Sequence, residues 1–201
     1  MKRALNHLTR ADPVLGPIIA RVGRYGIEYR EPSFQTLVRA IVYQQLSGKA
    51  ARTIFGRLAA AAKADPLTPE SILKLRPARM RALGLSKQKI EYIRGLARMT
   101  RDGEVSFEGC TGLDDDAVIE HLTRVKGVGV WTVHMFLLFA LRRHDVLPTG
   151  DLGVRVAMKR AYALAELPSP SEMERIAAAW RPYRSVAVWY LWRSLENQAA
   201  M

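Results

Sequence analysis

The chain has 201 residues, which is enough for one domain or two small lobes with a buried core. Lysine and arginine number 31 against 19 acidic residues, and the resulting net charge of +12 predicts a polyanionic partner. Cys110 is the single cysteine, which excludes an internal disulfide and a cysteine-ligated metal cluster. The longest apolar run, 135–141, is too short to span a bilayer, and we find no signal peptide. We therefore expect an intracellular protein without a membrane partner, in the cytoplasm or nucleoid, or in the nucleus of a eukaryote.

Helical periodicity dominates the chain, and no segment shows a convincing strand pattern. Ser33, for example, is a capping residue that precedes apolar positions with helical spacing at Phe34, Leu37 and Ile41. Helices with both ends predicted cover 14–22, 50–62, 77–83, 87–98, 151–165, 171–180 and 183–197. A further helix runs from 34 to the glutamines at 44 and 45, and a short helix begins near 69. One helix leads into a hairpin at 126–130, and another follows it.

Two polar turns leave alternatives open. The turn at 84–86 favours an ordinary helix–turn–helix, with a second phosphate contact as the alternative. The acidic run at 114–116 could suggest a metal site, but acidic residues at a helix start are better explained by the helix dipole.

The hairpin is formed by Lys126, Gly127, Val128, Gly129 and Val130, in which glycine alternates with valine. Glycine accepts positive φ and allows another backbone to approach closely. A helix is predicted to begin directly after it, so unpaired N–H groups and the positive end of the dipole meet there. This pattern predicts an anion site, and in a basic chain the expected anion is a nucleic-acid phosphate.

Asp151 follows the hairpin helix and a proline-containing loop. As an isolated residue it would be interpreted as the N-cap of the helix that starts at 152. A carboxylate downstream of the hairpin could also act on whatever the hairpin holds.

Four segments together resemble the helix-hairpin-helix DNA glycosylases, most closely the alkylation-repair branch, the 3-methyladenine DNA glycosylase II family. They are 34–47 (FQTLVRAIVYQQLS), 125–132 (VKGVGVWT), 148–152 (PTGDL) and 180–185 (WRPYRS). The resemblance implies an all-α fold of two lobes with the active-site cleft between them. By this analogy residues 36–127 form a helical barrel lobe, and residues 1–35 with 128–201 form the second lobe.

The resemblance also implies roles for individual residues. Asp151 is expected to be catalytic, and Gln45 to fill the gap left by a flipped base. The base pocket is expected to contain Trp131, Met135, Tyr183 and Gln44. Many family members carry tyrosine where this chain has Met135, which leaves the base preference open. Trp189 and Trp192 lie three residues apart on the last predicted helix, and this spacing favours core residues over pocket residues.

The residue at position 131 bears on the type of chemistry. Relatives that cleave the DNA strand carry a Schiff-base lysine two residues after the second hairpin glycine, where this chain has Trp131. The resemblance therefore implies a monofunctional enzyme. Backbone carbonyls of Thr123, Val125 and Val128 are expected to hold a monovalent cation in the hairpin. No other cofactor is expected, and no iron–sulfur cluster.

The resemblance therefore implies a base-excision enzyme that acts as a monomer on double-stranded DNA with damaged bases. Its expected substrates are alkylated purines, 3-methyladenine and 7-methylguanine, which are flipped out of the duplex before hydrolysis. Two alternatives remain open: a glycosylase of the same fold for deaminated bases, and a non-catalytic DNA-binding hairpin module.

Overall fold

A computed structural model describes residues 1–196, and this span contains twelve α-helices, two short 3₁₀ helices and no strand. The helices are α1 (Lys2–Ala11), α2 (Leu15–Val22), α3 (Phe34–Tyr43), α4 (Gly48–Ala62), α5 (Pro69–Lys74), α6 (Pro77–Ala82), α7 (Lys87–Arg101), α8 (Asp115–Thr123), α9 (Val130–Phe139), α10 (Leu152–Ala161), α11 (Pro170–Ala177) and α12 (Arg184–Glu196), with the 3₁₀ helices at Cys110–Gly112 and Ala178–Trp180. The all-α prediction is confirmed.

Helix starts agree with the capping residues of the sequence. Ser33 accepts the backbone N–H of Thr36, and Asp114 accepts that of Ala117 at 2.8 Å. Helix ends agree less well, because α10 stops at Ala161 rather than 165, and Ala163 follows with a left-handed φ of 50°. The predicted end of the last helix, at 197, lies outside the described residues.

Helix α1 was not predicted. Its N-cap, Met1, makes no side-chain capping bond, so the sequence carries no start signal. Its burial pattern is nevertheless helical, since Ala4 and Leu8 are both buried one turn apart.

The chain folds into two compact units. The terminal unit contains Met1–Tyr29 and the chain from Arg142 onward, and the central unit contains Arg30–Leu141. These boundaries differ from the predicted 35/36 and 127/128. The reason is that α9 packs against α3 and α8, so the whole hairpin helix belongs to the central unit.

The terminal unit is built around a buried carboxylate as well as an apolar core. Asp12 accepts the N–H of Val14 at 2.8 Å, the hydroxyl of Tyr162 at 2.6 Å and the indole N–H of Trp180 at 2.7 Å. Burial, together with the bond to Asp12, raises the pKa of Tyr162. Since Tyr162 directly follows α10, this network anchors the C-terminal end of the helix that Asp151 begins.

The central unit is organised around α3, which packs against α4, α7 and α9. Leu37, Val38 and Ile41 of α3 are fully buried in this unit. The hairpin between α8 and α9 therefore rests on a packed helical base.

Candidate nucleic-acid interface and active site

The hairpin uses its two glycines differently. Gly127 has a left-handed φ of 86°, whereas Gly129 is extended with a φ of −94° and is the N-cap of α9. The Val128 N–H donates to the Val125 carbonyl at 2.9 Å, which closes the turn. Only Gly127 requires glycine for its backbone conformation, and Gly129 presents the start of α9 without a side chain in front of it.

Gly127 lies against the ring of Tyr92. A Cβ at Gly127 would lie 2.1 Å from Cδ2 and 2.2 Å from Cγ of that ring, so any side chain at this position would require the Tyr92 ring to move. The Tyr92 hydroxyl in turn accepts from the Gln88 amide at 2.6 Å. Sequence reasoning missed Tyr92, because nothing in the local pattern of α7 connects it with the hairpin.

Gln44 connects the end of α3 to the hairpin. Its side-chain amide donates to the Gly127 carbonyl and to the Thr132 hydroxyl, each at 2.9 Å. This residue was predicted at the edge of the base pocket, and the structure shows that it braces both the hairpin and the first turn of α9. The neighbouring Gln45 is exposed with a left-handed φ of 54°, and its gap-filling role stays a prediction.

Lys89 is a second residue that sequence reasoning missed. Its ammonium donates to the carbonyls of Val42 and Gln44, each at 2.7 Å, and so caps the C-terminal end of α3. Burial lowers the pKa of Lys89. The residue therefore holds the chain segment that carries Gln44 and Gln45.

A concavity of about 450 Å³ lies over this part of the central unit. It is lined by residues from the end of α3, the start of α7, the end of α8 and the hairpin: Gln44, Gln45, Ser86, Gln88, Lys89, Tyr92, Thr123, Val125, Lys126, Gly127, Val128 and Gly129. Ser86, the last residue of the turn at 84–86, thus lines the same concavity as the hairpin, which is the arrangement that a second phosphate contact requires.

Lys126 is exposed at this surface and pairs with Glu91 at 2.7 Å. The hydrogen bond from Lys126 lowers the pKa of Glu91, and the same bond raises the pKa of Lys126. Exposed pairs of this kind contribute little to stability, so the ammonium can exchange its carboxylate for a phosphate.

The three residues whose carbonyl groups are expected to hold a cation lie at the same concavity. Thr123, Val125 and Val128 all line it, and the Val125 carbonyl also accepts the Val128 N–H. A neutral oxygen set of this kind fits a monovalent cation better than a transition metal. Across residues 1–196, no group of three acidic, histidine or cysteine side chains is placed to bind a metal. Asp114 is the cap of α8, as helix electrostatics predicted.

Helix α9 carries the two pocket candidates of the central unit. Trp131 and Met135 are both half-buried and lie one turn apart, while Thr132, Val133 and Phe136 are buried in the unit. Both candidates therefore lie on one partly exposed face of the helix that follows the hairpin. Their role in binding a base stays a prediction.

Asp151 belongs to the terminal unit and is 9% exposed. Its Oδ1 accepts the Val154 N–H at 2.8 Å, which makes it the N-cap of α10. The same oxygen accepts the indole N–H of Trp192 at 2.9 Å. The capping interpretation is therefore correct, and the carboxylate also has a partner on α12, a tryptophan whose sequence spacing favoured a core role over a pocket role.

Tyr183 lies in the terminal unit just before α12. Its ring meets that of His7 edge to face, with centroids 5.5 Å apart. Nε2 of His7 lies 3.1 Å from the Ala179 carbonyl, and since a carbonyl only accepts, Nε2 carries the proton. Helix α1 thus supports a predicted pocket residue.

No helix within residues 1–196 combines the length and the apolar character needed to cross a membrane.

Comparison with known proteins agrees with this architecture. Residues 38–182 match the model of the HhH-GPD superfamily of base excision DNA repair proteins. DNA-3-methyladenine glycosylase 1 of Schizosaccharomyces pombe is 34% identical, over 96% of this chain and 87% of the relative. The structure of the 3-methyladenine DNA glycosylase of that yeast in complex with abasic DNA matches with a TM-score of 0.89 and 34% identity, covering 96% of this chain and 97% of that one. The structure of a DNA-3-methyladenine glycosidase from Bacillus halodurans matches with a TM-score of 0.81 and 35% identity, covering 98% and 91%. The resemblance to the alkylation-repair branch is confirmed, and the chain belongs to the HhH-GPD superfamily of base excision DNA repair proteins.

Proposed function

We propose that this protein is a DNA glycosylase that hydrolyses the bond between an alkylated purine and its sugar. The observation that carries the proposal is Asp151, a nearly buried carboxylate held by Val154 and Trp192 in a chain similar over most of its length to DNA-3-methyladenine glycosylases. The expected substrates are 3-methyladenine and 7-methylguanine.

The chemistry needs one carboxylate. As the base departs, the sugar gains positive charge at C1′, and the carboxylate of Asp151 stabilises that charge and orients the attacking water. An alkylated purine already carries positive charge and is a good leaving group. It therefore does not require the second carboxylic acid that glycoside hydrolases use to protonate the leaving oxygen.

The aromatic residues serve to hold the flipped base. The rings of Trp131 and Tyr183 are both half-buried. Their electron-rich faces are suited to stacking on a cationic base. Trp131 also occupies the position where strand-cleaving relatives carry a lysine. With no amine at that position, water is the nucleophile and the product is an intact strand with an abasic site.

The hairpin binds the DNA backbone. Backbone N–H groups at Gly127, Gly129 and the first turn of α9 bind phosphate, and Lys126 adds a charge that can leave Glu91. Carbonyls of Thr123, Val125 and Val128 would hold a monovalent cation, whose charge reinforces the attraction to phosphate. The partner is double-stranded DNA with a damaged base.

The test is the Asp151→Asn variant in a single-turnover assay on a duplex containing 3-methyladenine. Asparagine retains the N-cap, so the fold and the affinity for an abasic-site duplex should not change. Excision should fall by about 10²-fold or more, because one electrostatic stabiliser of the transition state is lost. Wild-type turnover in this variant would return Asp151 to a purely structural role, and a wild-type protein that binds DNA without excising any base would be a binding module.

A further inference from the structure

The carboxylate of Asp151 receives two donors on one oxygen. The Val154 N–H comes from the same turn, at 2.8 Å, and is the ordinary capping bond. The Trp192 indole N–H comes from α12, 41 residues further along the chain, at 2.9 Å. Capping of α10 needs only the bond from Val154, so the bond from Trp192 is additional to the cap.

Gly153 makes room for the indole. A Cβ at this position would lie 3.1 Å from Asp151 Oδ1 and 3.2 Å from both Cδ1 and Nε1 of Trp192. Such distances are tighter than nine in ten real Cβ contacts, so a side chain here would require the carboxylate or the indole to shift by a few tenths of an ångström. Glycine is a poor helix residue, and its presence in the first turn of α10 is explained by this close approach.

We propose that Trp192 is a positioning residue for Asp151, and that its indole N–H fixes the carboxylate rotamer that faces the reacting sugar. The indole N–H is only a donor, which suits a carboxylate oxygen. Its ring is half-buried in the terminal unit, so the donor is itself held in place. A carboxylate that is already fixed does not have to reorient as positive charge develops on the sugar. The free-energy cost of reorganisation is therefore avoided, and the barrier to base release is lower. The proposal rests on the proposed function, in which Asp151 is the catalytic residue.

The variant that tests it is Trp192→Phe, which removes the N–H and keeps an aromatic ring. The matched control is Trp189→Phe, three residues earlier on the same helix, where the indole packs on Tyr25 with centroids 4.7 Å apart. The single-turnover rate of Trp192→Phe should fall about tenfold to a hundredfold, the usual effect of losing a hydrogen bond to a charged group. Affinity for an abasic-site duplex should stay as in wild type, and Trp189→Phe should excise at the wild-type rate.

Two further variants separate positioning from general loss of structure. Gly153→Ala removes no donor and is a better helix residue, yet it should slow excision because it separates the two groups. In an Asp151→Asn background, Trp192→Phe should cause no additional loss of rate, because the indole acts through the carboxylate. A wild-type rate in Trp192→Phe, or an equal loss in both backgrounds, would overturn the proposal.

A spectroscopic measurement tests the hydrogen bond without any activity. The chain has four tryptophans and therefore four indole N–H signals in a ¹⁵N-labelled sample. Trp192→Phe removes one signal and so assigns it, and Asp151→Asn should shift that signal more than the other three. If the signal does not move, Trp192 does not bind this carboxylate and the proposal fails. Absence of excision by the wild-type protein would instead refute the proposed function.

Discussion

Substitution of Gly127 by alanine should damage the hairpin far more than the same change at Gly129. A Cβ at Gly127 would lie 2.1–2.4 Å from three atoms of the Tyr92 ring, where carbon atoms ordinarily stay about 3.5–4 Å apart. Its φ of 86° is also unfavourable for alanine. The left-handed conformation costs about 1–2 kcal/mol, and forced overpacking costs about 1–3 kcal/mol. The expected destabilisation is therefore about 2–5 kcal/mol.

Gly129→Ala is the matched control. Its φ of −94° suits any residue, and a Cβ there meets nothing within 4 Å. Its free energy of unfolding should therefore change by no more than about 0.5 kcal/mol. Since Gly129 lines the concavity, its added methyl group should still weaken binding to lesion and plain duplexes alike.

Thermal unfolding and duplex binding measure the two effects. For a chain of this size, Gly127→Ala should lower Tm by roughly 4–20 °C, at about 2–4 °C per kcal/mol. Tyr92→Ala removes the ring, and in that background Gly127→Ala should cost only the backbone part, about 1–2 kcal/mol. A Gly127→Ala variant as stable as wild type would refute the packing argument, and normal DNA binding by both glycine variants would make the hairpin a mere connector.

Three further predictions concern neighbouring groups. Lys89→Met removes two charged hydrogen bonds from the C-terminal end of α3 and should destabilise the protein by about 1–3 kcal/mol, seen as a fall in Tm of roughly 2–12 °C; an unchanged Tm would mean that water replaces the ammonium without loss. Lys126→Ala should leave Tm nearly unchanged, while the slope of log affinity against log salt should become shallower by about 0.9 if this residue neutralises one phosphate; an unchanged slope would show that Lys126 stays with Glu91. Borohydride should trap no covalent adduct between enzyme and DNA, and strand nicks should appear only after alkali or heat, because position 131 holds tryptophan; a trapped adduct would mean that another amine, such as that of Lys126, reaches C1′.

The parts of the fold that the sequence predicted are those with local causes. Ser33 and Asp114 cap their helices through N–H groups three residues away, and such signals can be seen in a short window of sequence. Helix α1 has no side-chain capping bond at its start and was missed for that reason. The unit boundary at 141/142 was also missed, since it depends on how α9 packs against α3 and α8.

The candidate site divides in the same way. The hairpin, Asp151 and the aromatic candidates were found from motifs. The residues that brace them were not, because Tyr92, Lys89 and Trp192 act on partners far along the chain. Trp192 shows the difficulty most clearly: its spacing from Trp189 on α12 is typical of a core residue, and only the folded chain brings its indole N–H to Asp151.

The relative rates at which single lesions are released test whether the protein excises alkylated purines. Duplexes that each contain 3-methyladenine, 7-methylguanine, hypoxanthine or uracil are compared under single-turnover conditions, with alkali to reveal abasic sites. We expect 3-methyladenine to be released fastest and 7-methylguanine more slowly, because both are cationic. Hypoxanthine and uracil should be poor substrates, since Asp151 is expected to act without a general acid. Uracil released faster than 3-methyladenine would contradict the proposed function and favour a glycosylase for deaminated bases.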